Sequence, residues 1–404
     1  MITYEVKLKK IGEMTTLPDS QRLFGFLMNF SKKYCTEDEI SSFVKGVREQ
    51  KQKCMISNIV PSGYYPTPKE YIMQKLQKRL EKNQEEIQRL EKEQINSKKE
   101  SEKIIQELIE KKNQENEDKT NKKKGKKLNK TDEKEKLEKE KNEFNKIAIS
   151  IDDLSAKHIH ETLKSMDFVA QNQFKELLDI GKKKEIIKVK ELKEFKYIKK
   201  TKTFIQKFRL ESQMKELPGM PNVAYSLPIL SFKNKSEEIQ KEFSFFVRVE
   251  KESCISKALK ELKRSFDGHE IPCFLGGKAS AGYNEYRIYD IEELEESKNE
   301  KQEVVNVSYL NLGVLLPNFD NIQVEDSVLE IHTSDRKPFE IENEVSKVIS
   351  FITAGSIITV KNDTVDSYQI GKSIDNSKYN PLYNKNTIIF GNSYLVKLEA
   401  HNET

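Results

Sequence analysis

Phe243 to Tyr289 reads FSFFVRVEKESCISKALKELKRSFDGHEIPCFLGGKASAGYNEYRIY. Its first eight residues, FSFFVRVE (243–250), are dense in Phe and Val and read as a strand. SCISKALKELKRSF (253–266) follows, with Ile255, Ala258, Leu259, Leu262 and Phe266 on one helical face and lysines on the other. A glycine-rich turn comes next, and Tyr283 to Tyr289 resumes strand character. Strand, helix, glycine-rich turn, strand is half of a ferredoxin-like unit, and it predicts an α+β fold.

The turn, FLGGKASAGY, holds Gly276, Gly277, Lys278, Ser280 and Gly282. Adjacent glycines let a backbone approach a ligand closely, and successive N–H groups form an anion-binding nest. Lys278 adds a point charge and Ser280 a hydroxyl donor to a phosphate. A P-loop is excluded, because that motif needs Gly where Pro272 stands and Ser or Thr where Ala279 stands. A dinucleotide loop is also a poor fit, since the turn runs into an aromatic, β-branched strand and not a helix. A purely structural turn is the plain alternative.

Working outward, residues 1–10 alternate Tyr4, Val6 and Leu8 with charged residues, a strand pattern without the apolar core of a signal peptide. Asp19 or Ser20 is placed to cap a helix carrying Leu23, Phe24, Phe26, Leu27 and Phe30 on one broad face. A second short helix is expected over 37–48. IVPSGYYPTP (Ile59 to Pro68) is expected to be irregular because of its three prolines and Gly63. Tyr64 and Tyr65 there are packing anchors or contact residues.

The pattern then changes. Residues 74–143 carry 22 Lys+Arg and 18 Asp+Glu, against 49 and 48 in the rest of the 404-residue chain. Most of the net charge of +5 therefore belongs to this stretch, which makes net charge poor evidence of polyanion binding by the rest. Met73, Leu76, Leu80, Asn83, Ile87 and Leu90 alternate spacings of three and four, the seam of a coiled coil. The seam weakens at Gln94, Ser97 and Ser101 and resumes at Ile104 and Leu108. Residues 111–136 read as the disordered or turning tip of a helical hairpin that returns through Leu137 and Phe144. Its lysines would add only weak, salt-sensitive affinity for nucleic acid.

Residues 150–180 read as a helical continuation. IIKVK (186–190) and KEFKYIKKTKTFIQKFRL (193–210) alternate apolar and basic residues, as a strand with one basic face does; that face either follows a phosphate backbone or is simply solvated. GMPNVAYSLPILSF ends at Phe232. Beyond Glu300, residues 305–317, 327–333, 347–360 and 386–400 are strand candidates. No run of about 18 apolar residues suits a spanning helix. Cys35, Cys54, Cys254 and Cys273 stand far apart, so a zinc site or disulfide framework is not expected, and reduced thiols in a cytoplasm are. His158 and His160 are two apart and point to different sides of a helix; no metal or cofactor is expected.

GGKASAGY in this setting resembles the glycine-rich loop of the RAMP superfamily of CRISPR RNA-binding proteins, and within it the family of fourth subunits of the Csm (type III-A) effector. Three further stretches agree: PDSQRLFGFLMNF (18–30), VPSGYYPTP (60–68) and FITAGSIITV (351–360), with Gly355 and Ser356 at its turn. The likeness covers most of the chain except about 70–190. Ala279 stands where the family's loop continues with arginine, and Asn284-Glu285 where it has Gly-Arg. The resemblance implies a ferredoxin-like RAMP core begun by residues 1–70, a charged coiled-coil or disordered insertion over 71–150, the rest of the core with a thumb-like hairpin over 151–295, and a second β-rich, ferredoxin-like domain over 296–404.

It further implies a non-catalytic subunit of an antiviral ribonucleoprotein. Such a subunit holds the 5′ handle of the CRISPR RNA and docks the large polymerase-like subunit and the backbone subunits. The implied RNA contacts are Gly276, Gly277, Lys278, Ser280 and Gly282, assisted by Arg22, by Lys207 and Arg209 on the basic strand, and by Tyr225 stacking on a base. Two alternatives stand. A RAMP endoribonuclease would need a histidine as general acid or base; none precedes His158, and His269 beside the loop is the remaining candidate. A coiled-coil adaptor would bind partners through residues 74–143.

Overall fold

The computed structural model describes residues 1–118, 142, 144–180, 185–206, 226–266, 269–295, 307–336, 347–361, 365–376 and 387–398. These form an α+β protein of antiparallel sheets and helices in two compact units. One comprises Met1–Tyr71, Met166–Lys175 and Lys196–Thr404, and the other Ile72–Ser165 and Glu176–Phe195.

The first unit begins with β1 (Ile2–Lys10), α1 (Ser20–Ser31), α2 (Glu37–Arg48), β2 (Cys54–Ile56), β3 (Val60–Pro61) and β4 (Tyr64–Pro66). Tyr4, Val6 and Leu8 of β1 are buried while Glu5, Lys7 and Lys9 are not, the period of two that half-buried strands impose. Asp19, not Ser20, caps α1: its side chain accepts the Arg22 N–H. Leu23, Phe24, Leu27 and Met28 give α1 its buried face. Thr36 and Glu39 close a reciprocal capping box on α2, satisfying donors that a helix start leaves open. Residues 59–68 depart from expectation, since β3 and β4 are short strands there. Proline is tolerated in them because strands this short forgo few ladder hydrogen bonds.

Later in the same unit come β5 (Phe168–Ala170), β6 (Tyr197–Gln206), β7 (Ser226–Asn234), β8 (Glu242–Val249), α8 (Cys254–Arg264), β9 (Ile271–Phe274) and β10 (Glu285–Leu294). The main sheet runs β2-β8-β1-β10-β9, with β3 also on β8. Every pairing in it is antiparallel. The Tyr4 hydroxyl meets Ser256 Oγ at 2.9 Å, which holds α8 against one sheet face. Ile255, Ala258, Leu259 and Leu262 are buried as expected, whereas Phe266 lies past the helix end and is half-buried. A second sheet runs β4-β5-β6-β7. The expected helix over 150–180 is thus interrupted by β5, a strand too short to show periodicity.

Residues 307–398 carry β11 (Val307–Asn311), β12 (Ile331–Arg336), β13 (Lys347–Ile352), β14 (Ile357–Val360), β15 (Ile374–Asp375), β16 (Ile388–Ile389) and β17 (Leu395–Lys397). The strand candidate over 347–360 is two strands, divided at Gly355 where the resemblance placed a turn; its φ of 99° is one only glycine adopts readily. Ser356 Oγ then accepts the Glu330 N–H at 2.9 Å. Leu315, Ile322, Ile352, Ile358, Val360 and Ile370 form the core of this β-rich part. No α-helix occurs among its described residues. It is fastened to the N-terminal elements by Ile56 N–H to the Asn392 carbonyl at 3.1 Å and by Phe24 stacked on Phe390 at 4.4 Å.

The second unit is helical. The 50-residue helix α3 (Lys69–Asp118) spans about 75 Å at 1.5 Å per residue. It is joined by α4 (144–154), α5 (Ala156–Ser165), the end of α6 (Gln171–Asp179) and α7 (Val189–Leu192). The strand expected over 186–190 is absent: Val189–Leu192 is one helical turn. Of the heptad positions, Leu76 and Asn83 are fully buried and Met73, Leu80, Ile87 and Leu90 partly so. Asn83 is satisfied by two backbone carbonyls, Leu154 at 3.0 Å and Ile187 at 2.6 Å, and by the Ile187 N–H at 3.1 Å. Of the tip expected over 111–136, residues 111–118 instead continue α3 as helix, and 119–136 lie outside the described residues, as do the side chains of Ile104 and Leu108 at the resumed seam. Among the described residues, no helix is long and apolar enough to cross a membrane.

Candidate nucleic-acid interface

The glycine-rich loop joins β9 to β10 at one edge of the main sheet. Leu275 anchors its start in the core. Lys278 (φ 61°, ψ 31°) and Gly282 (φ 77°, ψ 12°) are left-handed and bracket a single 3-10 turn, Ala279–Ala281. The turn is closed by Ala281 N–H to the Lys278 carbonyl at 3.0 Å and Gly282 N–H to the Ala279 carbonyl at 2.9 Å. Gly277, Lys278, Ser280 and Gly282 are exposed. Left-handed backbone costs an L-residue about 1–2 kcal/mol, so a lysine there is held in strain, and such strain concentrates at functional positions.

The two adjacent glycines differ. A Cβ on Gly277 would meet open space, but one on Gly276 would stand 2.7 Å from the Asn284 side chain. Packing against Asn284 therefore requires glycine at 276, whereas a side chain at 277 would occupy open space in front of the main chain.

The loop is clasped by the segment leaving β1, which sequence reading passed over. Glu13 bridges Tyr283, and Met14 bridges Leu230 of β7. The Met14 carbonyl accepts the Leu230 N–H at 2.6 Å, and the Glu13 carbonyl the Asn284 N–H at 2.8 Å. Residues 13–14 thus lie between the glycine-rich loop and the β6–β7 hairpin. Arg22 is exposed on the first turn of α1, and its guanidinium donates to Thr16 Oγ1. Arg22 also acts electrostatically on Tyr286. Burial, first, and Cys273 push the Tyr286 hydroxyl pKa up, and the Arg22 charge pulls it back.

Lys207, Arg209 and Tyr225 lie outside the described residues. The strands that flank them are described. On β6, Lys200, Lys202 and Phe204 are exposed, while Lys199 pairs with Glu237, which also takes Lys233 at 3.3 Å. Those two lysines hold the Glu237 carboxyl below the usual carboxylate range. The hairpin's basic character is partly neutralised, leaving Lys200 and Lys202 beside an exposed Phe204. His269, the one histidine near the loop, is also exposed. His158 meets Asp152 Oδ1 at 2.8 Å on the helical unit.

Together, the described loop supplies a main chain open at Gly277, a strained cation and the Ser280 hydroxyl, a donor set suited to a phosphodiester. Thr15, Thr16 and Asn284 belong to the same arrangement. The one sequence signal for them was the Asn284-Glu285 departure from Gly-Arg.

No family model matches the chain, and no curated protein does. Solved structures do. The chain is similar to one in a Csm1-Csm4 cassette in complex with pppApA, at 14% identity and a TM-score of 0.43 over 100% of both chains. A chain of the Csm3-Csm4 subcomplex of the type III-A CRISPR-Cas interference complex gives 16% and 0.43 over 98% of both. One in a Csm1-Csm4 cassette with cA4 gives 14% and 0.44 over 99% of this chain and 98% of that one.

Proposed function

We propose that the chain is a non-catalytic RNA-binding subunit of a type III-A CRISPR (Csm) ribonucleoprotein in the cytoplasm. Its glycine-rich loop holds the phosphate backbone of the CRISPR RNA 5′ handle, while other surfaces dock the large polymerase-like subunit and the backbone subunits. The observation that carries this reading is the strained, exposed Lys278 beside the open Gly277. That geometry supports an anion site in a loop whose sequence already resembles the RAMP loop. The ferredoxin-like core is supported by the strand order β2-β8-β1-β10 with α1 and α8 as crossovers. The long α3 with its partly buried seam supports a coiled-coil-like insertion.

The test is to purify the tagged chain from its host and sequence the RNA that comes with it. A ladder of CRISPR RNAs sharing one 5′ handle, together with other Csm subunits, is the expected result. Recovery of neither RNA nor partners would sink the reading. Replacing Lys278 and Ser280 together with alanine is expected to weaken handle binding without unfolding the chain.

A further inference from the structure

Asn284 is fully buried and so cannot touch a ligand, yet its hydrogen bonds converge on the loop. Its Nδ2 donates to the Gly277 carbonyl and to Thr15 Oγ1, both at 2.8 Å. Its Oδ1 accepts the Thr15 N–H at 2.9 Å. Its own main chain donates to Glu13 at 2.8 Å and accepts from Leu275 at 3.1 Å. Both amide protons and the carbonyl of one carboxamide therefore tie the glycine-rich loop to Thr15, 269 residues away in sequence. The backbone at Asn284 is itself left-handed, with φ 56°, a conformation Asn tolerates better than most residues.

The bond to Gly277 has a specific consequence. The peptide group is planar, so fixing the Gly277 carbonyl fixes the whole Gly277–Lys278 plane. The direction in which Lys278 leaves the loop follows from that plane. The missing Cβ of Gly276 makes the room in which the carboxamide sits, 2.7 Å from where that Cβ would be. We propose that Asn284 is the positioning residue of the RNA-binding loop, acting through the Gly277–Lys278 peptide and not through contact with RNA. The inference rests on the reading of the loop as an RNA contact. A purely structural role would change stability alone, whereas a positioning role also changes RNA affinity and its salt dependence.

Asn284→Gly suits that purpose, because glycine accepts the left-handed backbone and only the carboxamide is lost. The full-length chain is titrated against a fluorescein-labelled single-stranded RNA by anisotropy across a salt series, in parallel with thermal melts. Asn284→Gly is expected to lower affinity about tenfold, the equivalent of roughly one lost hydrogen bond. Its plot of log affinity against log salt should be shallower by about one phosphate contact. Lys278→Ala alone should weaken binding, and should add little once Asn284 is glycine, because a mispositioned lysine has little left to lose.

Wild-type affinity and salt slope in Asn284→Gly, with only a lower melting temperature, would overturn the proposal and leave the loop reading intact. Full binding by Lys278→Ala would overturn both. If Asn284→Gly does not fold, Thr15→Val removes one Nδ2 acceptor at nearly constant shape. A weaker RNA complex is then expected, and wild-type affinity in that variant would count against the role.

Discussion

A Cβ on Gly12 would stand 2.3 Å from the carbonyl oxygen of Gly282, so the segment leaving β1 and the glycine-rich loop touch backbone to backbone. Main chain cannot swing aside as a side-chain tip can. Gly12→Ala is therefore expected to destabilise the protein by about 1–3 kcal/mol, the usual cost of overpacking. The same shift should displace the loop and weaken RNA binding. Urea unfolding and RNA anisotropy on one preparation check both effects, and an alanine variant that matches wild type in each would refute the close approach.

Lys278 presents the opposite case. Its left-handed backbone makes glycine the better residue for stability at that position, by about 1 kcal/mol. Lys278→Gly is expected to raise the melting temperature and lower RNA affinity together. Lys278→Arg keeps both the charge and the strain and should stay near wild type in both. A glycine variant that gains stability and binds RNA normally would show that the lysine serves no ligand.

The legible parts of the fold were those with a period. β1 and β8 announce themselves through alternating or continuous apolar residues, and α1, α2 and α8 through one apolar face and a capping residue. The elements that escaped are short or relational. β5 has three residues, and β3 and β4 contain prolines that a propensity argument reads as breaks. At the site, GGK was visible as a turn, but Gly276 has its meaning only beside Asn284, and Asn284 only beside Thr15, 269 residues away. No local pattern pairs such positions in a single sequence.

Asn83 illustrates the same limit in the helical unit. It occupies a seam position where a coiled coil would place it to set register, but its partners are the Leu154 and Ile187 main chains. Asn83→Ala would leave two buried carbonyls and an N–H unpaired. A loss of at least about 3 kcal/mol is expected, since three orphaned buried groups cost on the order of 1–3 kcal/mol each. Amide exchange should localise the effect, with Ile187 losing protection first. Unchanged exchange at Ile187 would argue that the hydrogen bonds contribute nothing there.

Glu330 offers a pH-dependent test of the β-rich part. Burial, first, and the nearby Glu70 carboxylate raise its pKa above the ordinary 4.5, while Lys69 and a hydrogen bond from Thr353 pull it partly back. A carboxyl with a raised folded pKa holds its proton more tightly in the native state than in the unfolded one. Its contribution is thus most favourable below the unfolded pKa of about 4.5 and is lost as pH rises through the folded value. Glu330→Gln removes this titration and keeps the shape and the contact with Thr353. The variant is expected to be more stable than wild type at neutral pH, with the difference shrinking to nothing as pH falls below about 4.5. Melting curves of the two proteins across that range decide the matter, because carboxylates that do not interact with Glu330 titrate equally in both and cancel. A stability difference that does not change with pH would mean that Glu330 ionises as freely in the folded protein as in the unfolded chain.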